Sequence, residues 1–304
     1  MTKAGSMEFP QDGKDLPWIN PVGGLGDTLM LSGVLKLVAD TNPTSRFNCV
    51  VRTKYPPLLN GHPVIIRIGH PPPSAQLMPT DYWHDPAFGQ PGERAFQILA
   101  SMFGLRRPVD EKLWVPWSLD QNDPVLHACL PWKKKNILLC PTSESPRKQM
   151  AFERWEAIVD RLRCDDFLVV QLGRRNDPHV RGTYSLLGLT TTRQAITLMR
   201  RFDLVLGVDN FLMHAAHLCE VPAVILWGPT DHRVYGYAGH VHMQAPACAN
   251  LKDCIAPHNS HVYATECPKG PAHCMDQLAL DSIYQAAREV LTGSRCSAPS
   301  PPPG

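Results

Sequence analysis

The sequence lacks a marked charge imbalance, and it has few cysteines for its length. Its 30 Lys and Arg residues against 28 Asp and Glu residues give a net charge of +2 and a pI near 8.0. A nucleic-acid-binding domain typically has a pI above about 9. Ten cysteines in 304 residues fall well below the roughly 8–10% of a disulfide scaffold. We therefore expect no nucleic-acid partner and mostly reduced thiols.

The sequence also lacks an export signal and a membrane-spanning segment. The first eighteen residues contain no apolar core of a signal peptide, and charged residues interrupt each apolar stretch before it reaches about 18 residues. Asp27, Asp203 and Asp209 are among these interruptions. The sequence therefore predicts a cytoplasmic protein, and it leaves peripheral contact with a membrane surface open.

The chain does have the length and the patterning of two α/β domains. Its 304 residues, 43% of them hydrophobic, exceed the usual ~100–200 residues of one domain. Alternating strand and helix patterns predict two domains with parallel sheets, residues 17–130 and 131–293. The ends, residues 1–16 and 294–304, are predicted to be flexible. Because ligands bind outside the carboxyl ends of parallel strands, we expect a site in a cleft between the domains.

Local patterns place the main elements. Apolar residues at i, i+3, i+4 and i+7 from Leu31 to Val38 predict a helix that ends before Asn42. A capping box formed by Thr191 and Gln194 predicts the start of a later helix. The predicted strands include Phe47–Arg52, Val64–Ile68, Asn136–Cys140, Phe167–Leu172, Leu204–Gly207 and Ala223–Trp227.

The first candidate site is the glycine-rich segment Gly23–Thr28, between a predicted strand and a helix. Gly24 and Gly26 allow the backbone to approach a ligand closely, and the helix N-terminus offers N–H groups to an anion. Asp27 is a candidate general base. The alternative is a glycine turn whose acidic residue interacts favourably with the helix dipole.

A second candidate is the hydroxyl-rich loop Cys140–Lys148, which joins a strand to a helix. Ser143 and Lys148 are suited to bind a diphosphate, because a hydroxyl donates hydrogen bonds and lysine provides a positive charge. The same composition also fits an ordinary solvated loop.

The third candidate lies directly after the strand Leu204–Gly207. Asp209 and Asn210 follow this strand, and His214 lies in the first turns of the next helix. Asp209 could accept hydrogen bonds from sugar hydroxyls, whereas His214 could equally be a core histidine. Gly228 begins a further turn after a strand, which we expect at the same edge of the sheet.

Four of the ten cysteines lie within 27 positions, in the predicted insert 248–274. Cys248, Cys254, Cys267 and Cys274 could hold zinc or iron as a tetrahedral thiolate site. Their spacing lacks the usual C-x2-C pattern. Reduced structural thiols and a pair of disulfides therefore remain alternatives.

In order along the chain, these segments resemble the heptosyltransferase-like enzymes of glycosyltransferase family 9. The similarity is most specific in Asp209–Ala216, which resembles the family's Asp-Ser/Thr-Gly-Pro-Met-His segment, and in the turn Gly228–Asp231. The pair Gly26-Asp27 is similar to the family's amino-terminal Gly-Asp, and the cysteine insert resembles a cysteine-rich insert found in many relatives. The resemblance implies a GT-B fold of two Rossmann-like domains.

The resemblance also implies an activity. A sugar, heptose by resemblance, would move from a nucleoside diphosphate such as ADP to an acceptor hydroxyl, with inversion and without a catalytic metal. Asp27 would be the base, and Ser143, Lys148 and His214 would meet the diphosphate. The cysteine cluster would then be structural or regulatory.

Other functions remain open at this point. Asn210-Phe211-Leu212 replaces the family's Ser/Thr-Gly-Pro, and this departure favours a catalytically silent scaffold as one alternative. A metal-bound cysteine cluster that serves as a nucleic-acid or protein interaction module is another. The residues do not identify the acceptor.

Overall fold

The computed structural model describes residues 16–51, 56–119, 130–246, 254, 265–270 and 273–293. Its contacts divide the chain into two compact units: unit 1 comprises residues 1–121 and 233–236, and unit 2 comprises residues 122–232 and 237–304. Apart from Leu16, the ends that we predicted to be flexible lie outside the described residues.

Unit 1 contains a four-stranded parallel sheet in the order β3-β2-β1-β4. Its strands are β1 (Trp18–Asn20), β2 (Phe47–Val50), β3 (Ile65–Gly69) and β4 (Leu77–Pro79), and its helices are α1 (Leu25–Thr41), α2 (Pro56–Leu59) and α3 (Ala95–Met102). The apolar face predicted for α1 is buried in the core, since Leu31, Val34, Leu35 and Val38 are each at most 4% exposed.

Unit 2 contains a six-stranded parallel sheet in the order β10-β9-β8-β5-β6-β7. Its strands are β5 (Asn136–Cys140), β6 (Leu168–Gln171), β7 (Tyr184–Ser185), β8 (Leu204–Val208), β9 (Ala223–Trp227) and β10 (Val241–Gln244). Its helices are α4 (Phe152–Cys164), α5 (Thr192–Met199), α6 (Phe211–Leu218) and α8 (Leu280–Thr292), while α7 (His232–Tyr235) begins in unit 2 and continues in unit 1.

The predicted α/β class with two parallel sheets is confirmed, and the strands that the patterns missed share one position. β4, β7 and β10 each lie at the edge of a sheet and contain only two to four residues. An edge strand pairs with a neighbour on one side only and is more exposed to solvent than a central strand. It therefore lacks the continuous apolar run of a buried parallel strand. The capping box at Thr191 is present, with its hydroxyl accepting from Gln194 N.

The short segment 233–236 belongs to unit 1 although the chain on both sides of it belongs to unit 2. The Arg94 guanidinium explains this placement, because it donates to the carbonyl oxygens of Arg233, at 3.0 Å, and Gly236. Arg94 also forms a bidentate ion pair with Glu111. No helix within the described residues is long and apolar enough to cross a membrane.

Each sheet has one point at which the direction of strand addition reverses. In unit 1 this point lies between β1 and β4, and in unit 2 it lies between β5 and β8. The loops that follow two such strands run to opposite sides of the sheet and leave a crevice at its carboxyl edge, where ligands bind in open α/β sheets. The residues that follow β1, β4, β5 and β8 are therefore the candidates for ligand binding.

Candidate functional site

A buried polar cluster lies at the reversal point of unit 2, formed by Lys148, Asp209 and Thr230. Lys148 Nζ donates to Asp209 Oδ2 at 2.7 Å, and Thr230 Oγ1 donates to the same oxygen at 2.6 Å. The side chains of Lys148 and Asp209 are 11% and 8% exposed. Because a buried ion pair is costly to desolvate, this arrangement points to a role beyond stabilising the fold.

The fold explains why these residues meet. Lys148 ends a 3₁₀ turn (Pro146–Lys148) after β5, and Asp209 directly follows β8, the neighbour of β5. A Cβ atom at Gly207 would lie 2.5 Å from the carbonyl oxygen of Cys140. Glycine is therefore needed for this close approach of β5 and β8. Thr230 reaches Asp209 from the turn after β9.

The ionisation state of Asp209 is set by its contacts within the cluster. Burial alone would raise the pKa of Asp209, but the Lys148 ammonium and the hydrogen bonds from Lys148 and Thr230 hold it below its usual value. Asp209 is therefore ionised at neutral pH and forms an ion pair with the Lys148 ammonium.

Asn210 shapes the start of α6. Its Oδ1 accepts a hydrogen bond from Leu212 N at 2.8 Å, and its Nδ2 donates to the carbonyl oxygen of Thr142 at 2.8 Å. The side chain thus caps the helix, as asparagine commonly does, and ties the loop after β8 to the loop after β5. Asn210, the first residue of the Asn210-Phe211-Leu212 departure from the family pattern, therefore has a structural role in this chain.

The other predicted residues of unit 2 lie around the cluster. His214 is buried within α6, and its Nδ1 lies 2.7 Å from Tyr237 Oη. Ser143 is buried in the loop after β5, where its carbonyl oxygen accepts a hydrogen bond from Gln149 Nε2. Gly228 begins the turn that carries Thr230.

Asp27 is the centre of a second arrangement, at the reversal point of unit 1. Gly24 N donates to Asp27 Oδ2 at 2.6 Å, and Tyr82 Oη donates to Asp27 Oδ1 at 2.6 Å. Gly23 has φ +95°, and a Cβ atom there would lie 2.3 Å from Asp27 Oδ2. The glycine loop thus leaves room for the half-buried carboxylate, whose two oxygens are both oriented. Gly26 lies in the first turn of α1.

Residues after β4 complete this arrangement, and sequence patterns did not find them. Thr80 Oγ1 accepts a hydrogen bond from Val22 N at 2.9 Å, which joins the loops after β1 and β4. Tyr82, which binds Asp27, is 2% exposed. The signal was weak because β4 is only three residues long, which is too short to show a periodic apolar pattern.

A group of histidines surrounds Tyr237 in unit 2; we had predicted His214 as a site residue but not His217 or His240. The ring of His217 stacks on Tyr237 with centroids 3.9 Å apart, and the ring centroid of His240 lies 6.0 Å from each of these two rings. Burial lowers the pKa of His214 to about 4 and that of His240 to about 3. Both imidazoles are therefore neutral at neutral pH.

Lowering the pH from 7 to 5 is expected to reduce the free energy of unfolding of unit 2. An unfolded histidine has a pKa near 6.5, so the unfolded state takes up protons in this interval while His214 and His240 stay neutral in the native state. The lowered native pKa values therefore provide stability above pH 6.5 that is lost as the pH falls toward 4. The buried His214 alone should account for about 2 kcal/mol.

Urea unfolding at pH 7 and at pH 5, followed by tryptophan fluorescence, measures this loss. His240→Asn should weaken the pH dependence, because it removes one of the histidines whose pKa burial lowers. His179→Gln, at an exposed position of the same unit, is the control and should leave the dependence as it is. Equal stability of the wild-type protein at both pH values would contradict the assignment of buried neutral histidines.

The predicted metal site is not supported in the described part of the chain. Cys248 lies outside that part, while Cys254, Cys267 and Cys274 are half-buried free thiols. Within the described residues, no group of three His, Cys, Asp or Glu side chains is arranged to hold a metal ion. Burial, followed by the nearby Cys254 and Cys267, raises the pKa of Cys274.

Comparison with solved structures finds proteins that share this fold at low sequence identity. The chain is 13% identical to the glycosyl transferase family 9 protein from Veillonella parvula (TM-score 0.67; 95% of this chain and 100% of that chain covered). It is 14% identical to TibC of enterotoxigenic Escherichia coli, a dodecameric iron-containing heptosyltransferase solved with ADP-D-β-D-heptose. For this structure the TM-score is 0.69, and 93% of this chain and 78% of that chain are covered. It is 13% identical to the ADP-heptose lps heptosyltransferase II of E. coli (0.59; 92% and 99%).

These likenesses support the predicted GT-B fold, and a family model identifies the chain more directly. No curated protein matches the sequence. The model of glycosyltransferase family 9 (heptosyltransferase) matches residues 65–255, which include Lys148, Asp209 and His214 and begin beyond Asp27. The match covers more than half of the chain, and the chain therefore belongs to glycosyltransferase family 9.

Proposed function

We propose that the protein transfers a sugar from a nucleoside diphosphate to an acceptor hydroxyl, with inversion and without a catalytic metal. The observation on which this rests is the buried cluster of Lys148, Asp209 and Thr230 at the reversal point of the unit 2 sheet. Reversal points are the places where doubly wound sheets bind nucleotides. By likeness to structures solved with ADP and ADP-heptose, ADP-heptose is the proposed donor.

In this proposal the residues of unit 2 bind the diphosphate. The leaving group gains negative charge as the bond between the sugar carbon and the phosphate oxygen breaks. Lys148 would stabilise that charge, and Ser143 with the N-terminus of α6 would add hydrogen-bond donors. His214 is neutral, so it would act as a hydrogen-bonding group rather than a cation. Asp209 would hold Lys148 in place and accept hydrogen bonds from the sugar.

Asp27 would be the base in unit 1. The acceptor oxygen forms a bond to the anomeric carbon, its proton moves to the Asp27 carboxylate, and the electron pair of the broken bond leaves with the diphosphate. Tyr82 and Gly24 hold both carboxylate oxygens, which favours one orientation for proton transfer. Gly24 and Gly26 keep the loop backbone open to a ligand.

The cysteine cluster has no step in this mechanism. A structural zinc or iron ion at Cys254, Cys267 and Cys274 would need ligands outside the described residues, because the described residues alone do not form a metal site. The function as proposed needs only the side chains and helix N–H groups named above.

Nucleotide binding is the first test. ADP-, GDP-, UDP- and dTDP-sugars are added to the wild-type protein and to Lys148→Ala, and thermal unfolding is followed. A ligand at ~100 times its Kd adds ~2.7 kcal/mol, which raises Tm by about 2–4 °C for domains of this size. We expect ADP-sugars to stabilise the wild type and to have little effect on Lys148→Ala.

Lys133→Ala is the matched control, because Lys133 forms a lysine–aspartate pair with Asp166 on the surface of the same unit. It should respond to nucleotide as the wild type does. If no nucleotide stabilises the wild type, the catalytic proposal is overturned and a silent scaffold becomes the better description. If a nucleotide class other than ADP stabilises the wild type, ADP is the wrong donor nucleotide, but the proposed donor site in unit 2 still stands.

A further inference from the structure

Arg147 is a buried cation that the proposed mechanism does not use. It is 6% exposed and directly precedes Lys148 in the same 3₁₀ turn. Its Nε donates to the carbonyl oxygen of Thr265 at 3.0 Å, and its Nη2 donates to Thr265 Oγ1 at 2.9 Å. A guanidinium is costly to bury without such partners, and its planar fork fixes direction better than a lysine would.

Thr265 belongs to a segment that also touches the other side of the cluster. We call residues 265–270 and 273–277 the late segment. A Cβ atom at Gly228 would lie 2.7 Å from Met275 Sδ and 3.2 Å from Cys274 Sγ, so the turn after β9 packs directly on the late segment. Two residues beyond Gly228, Thr230 donates to Asp209.

The late segment is therefore in contact with both loops that hold Asp209. It binds the Lys148 loop through Arg147, and it supports the Thr230 turn through Gly228. A third contact anchors it to α4, since Asp276 Oδ1 accepts a hydrogen bond from Ala151 N at 3.0 Å. The geometry of the cluster thus depends on a segment more than 100 residues away from Lys148 in sequence.

From these contacts we infer that Arg147 is a positioning residue for Lys148 and connects it to the late segment. The 3₁₀ turn is closed by the hydrogen bond from Lys148 N to the carbonyl oxygen of Ser145. Because Arg147 and Lys148 share this turn, its rotation would move both side chains. The bond to Thr265 resists that rotation and keeps Lys148 Nζ beside Asp209. This inference rests on the proposed function, in which Lys148 binds the diphosphate.

The test is a double-mutant cycle on ADP affinity, measured by calorimetry well below the unfolding temperature of each variant. Arg147→Gln should weaken ADP binding by roughly tenfold, the scale of one charge-assisted contact. Combined with Lys148→Ala, it should cause no further loss, because a residue that acts through Lys148 has no effect once Lys148 is gone. A general structural defect would instead add to the effect of Lys148→Ala.

A milder change and a control complete the experiment. Thr265→Val removes the hydroxyl acceptor but keeps the carbonyl acceptor, and we expect a loss of about twofold to fourfold in ADP affinity. It tests the same contact if Arg147→Gln fails to fold. Arg161→Gln is the matched control: Arg161 bonds Asp281 at the surface of the same unit, and its loss should leave ADP affinity unchanged.

The outcomes separate this inference from the proposed function. If Lys148→Ala binds ADP measurably more weakly than the wild type, but Arg147→Gln and Thr265→Val bind as the wild type does, the positioning role is overturned and the donor site stands. Additive losses in the double variant would also overturn it. If the wild type does not bind ADP, the proposed function is overturned and this inference with it.

Discussion

Asp27→Asn is expected to lower the rate of sugar transfer by about 10²–10⁴, the usual contribution of a positioned general base. The asparagine has nearly the same shape, and its amide oxygen can still accept the hydrogen bond from Tyr82 or from Gly24. It cannot accept the proton of the acceptor hydroxyl. The substitution therefore removes the base while it preserves most of the loop.

Release of ADP from ADP-heptose measures this effect, with ADP affinity as the parallel readout. ADP affinity should stay within about twofold of the wild type, because the side chains proposed to meet the diphosphate, Ser143, Lys148 and His214, belong to unit 2. An equal loss of ADP affinity and of turnover would show that Asp27 contributes to binding rather than to proton transfer.

Asp40→Asn is the matched control, because Asp40 lies on the same helix and pairs with Lys36 at the surface. It should retain full activity. Tyr82→Phe removes the donor to Asp27 Oδ1 but leaves the base in place, so its loss of activity should be smaller than that of Asp27→Asn.

The order of strands explains why the site was only partly predictable. Periodicity and strand-end motifs placed Lys148 and Asp209 after strands, because each pattern is local. Their contact, across 61 positions in sequence, depends on β5 and β8 being neighbours. No local pattern specifies which strands pair, since pairing is decided by burial and crossover connections over the whole sheet.

Residues that act through distant contacts were missed for the same reason. Tyr82 is a buried tyrosine in a segment with little periodicity, and its role appears only when β4 pairs with β1 and brings it to Asp27. Arg147 belongs to the loop Cys140–Lys148, whose composition also fits an ordinary solvated loop, whereas the fold buries it against Thr265. Buried polar residues contradict the simple hydrophobic pattern, and such contradictions are most frequent at functional sites.

Lys148→Met is expected to lower the free energy of unfolding by about 3–5 kcal/mol, because it leaves the buried Asp209 carboxylate without its cation. The double variant Lys148→Met/Asp209→Leu should recover most of this loss, since apolar side chains of similar volume often replace a buried ion pair without cost. Urea unfolding monitored by tryptophan fluorescence measures all three proteins.

Lys135→Met is the control. It breaks the more exposed pair with Asp203 in the same unit and should cost at most about 1 kcal/mol. An Lys148→Met variant as stable as this control would mean that Asp209 is not held as a buried carboxylate.

The double variant also separates stability from function. If Lys148 and Asp209 only stabilised the fold, methionine and leucine at these positions would replace them without loss of function. The double variant would then bind ADP as the wild type does. We expect the opposite: a stable protein that ADP no longer stabilises, because the charges that meet the diphosphate and the sugar are gone. A buried ion pair that the fold does not need, at the reversal point of the sheet, is then explained by the ligand it binds.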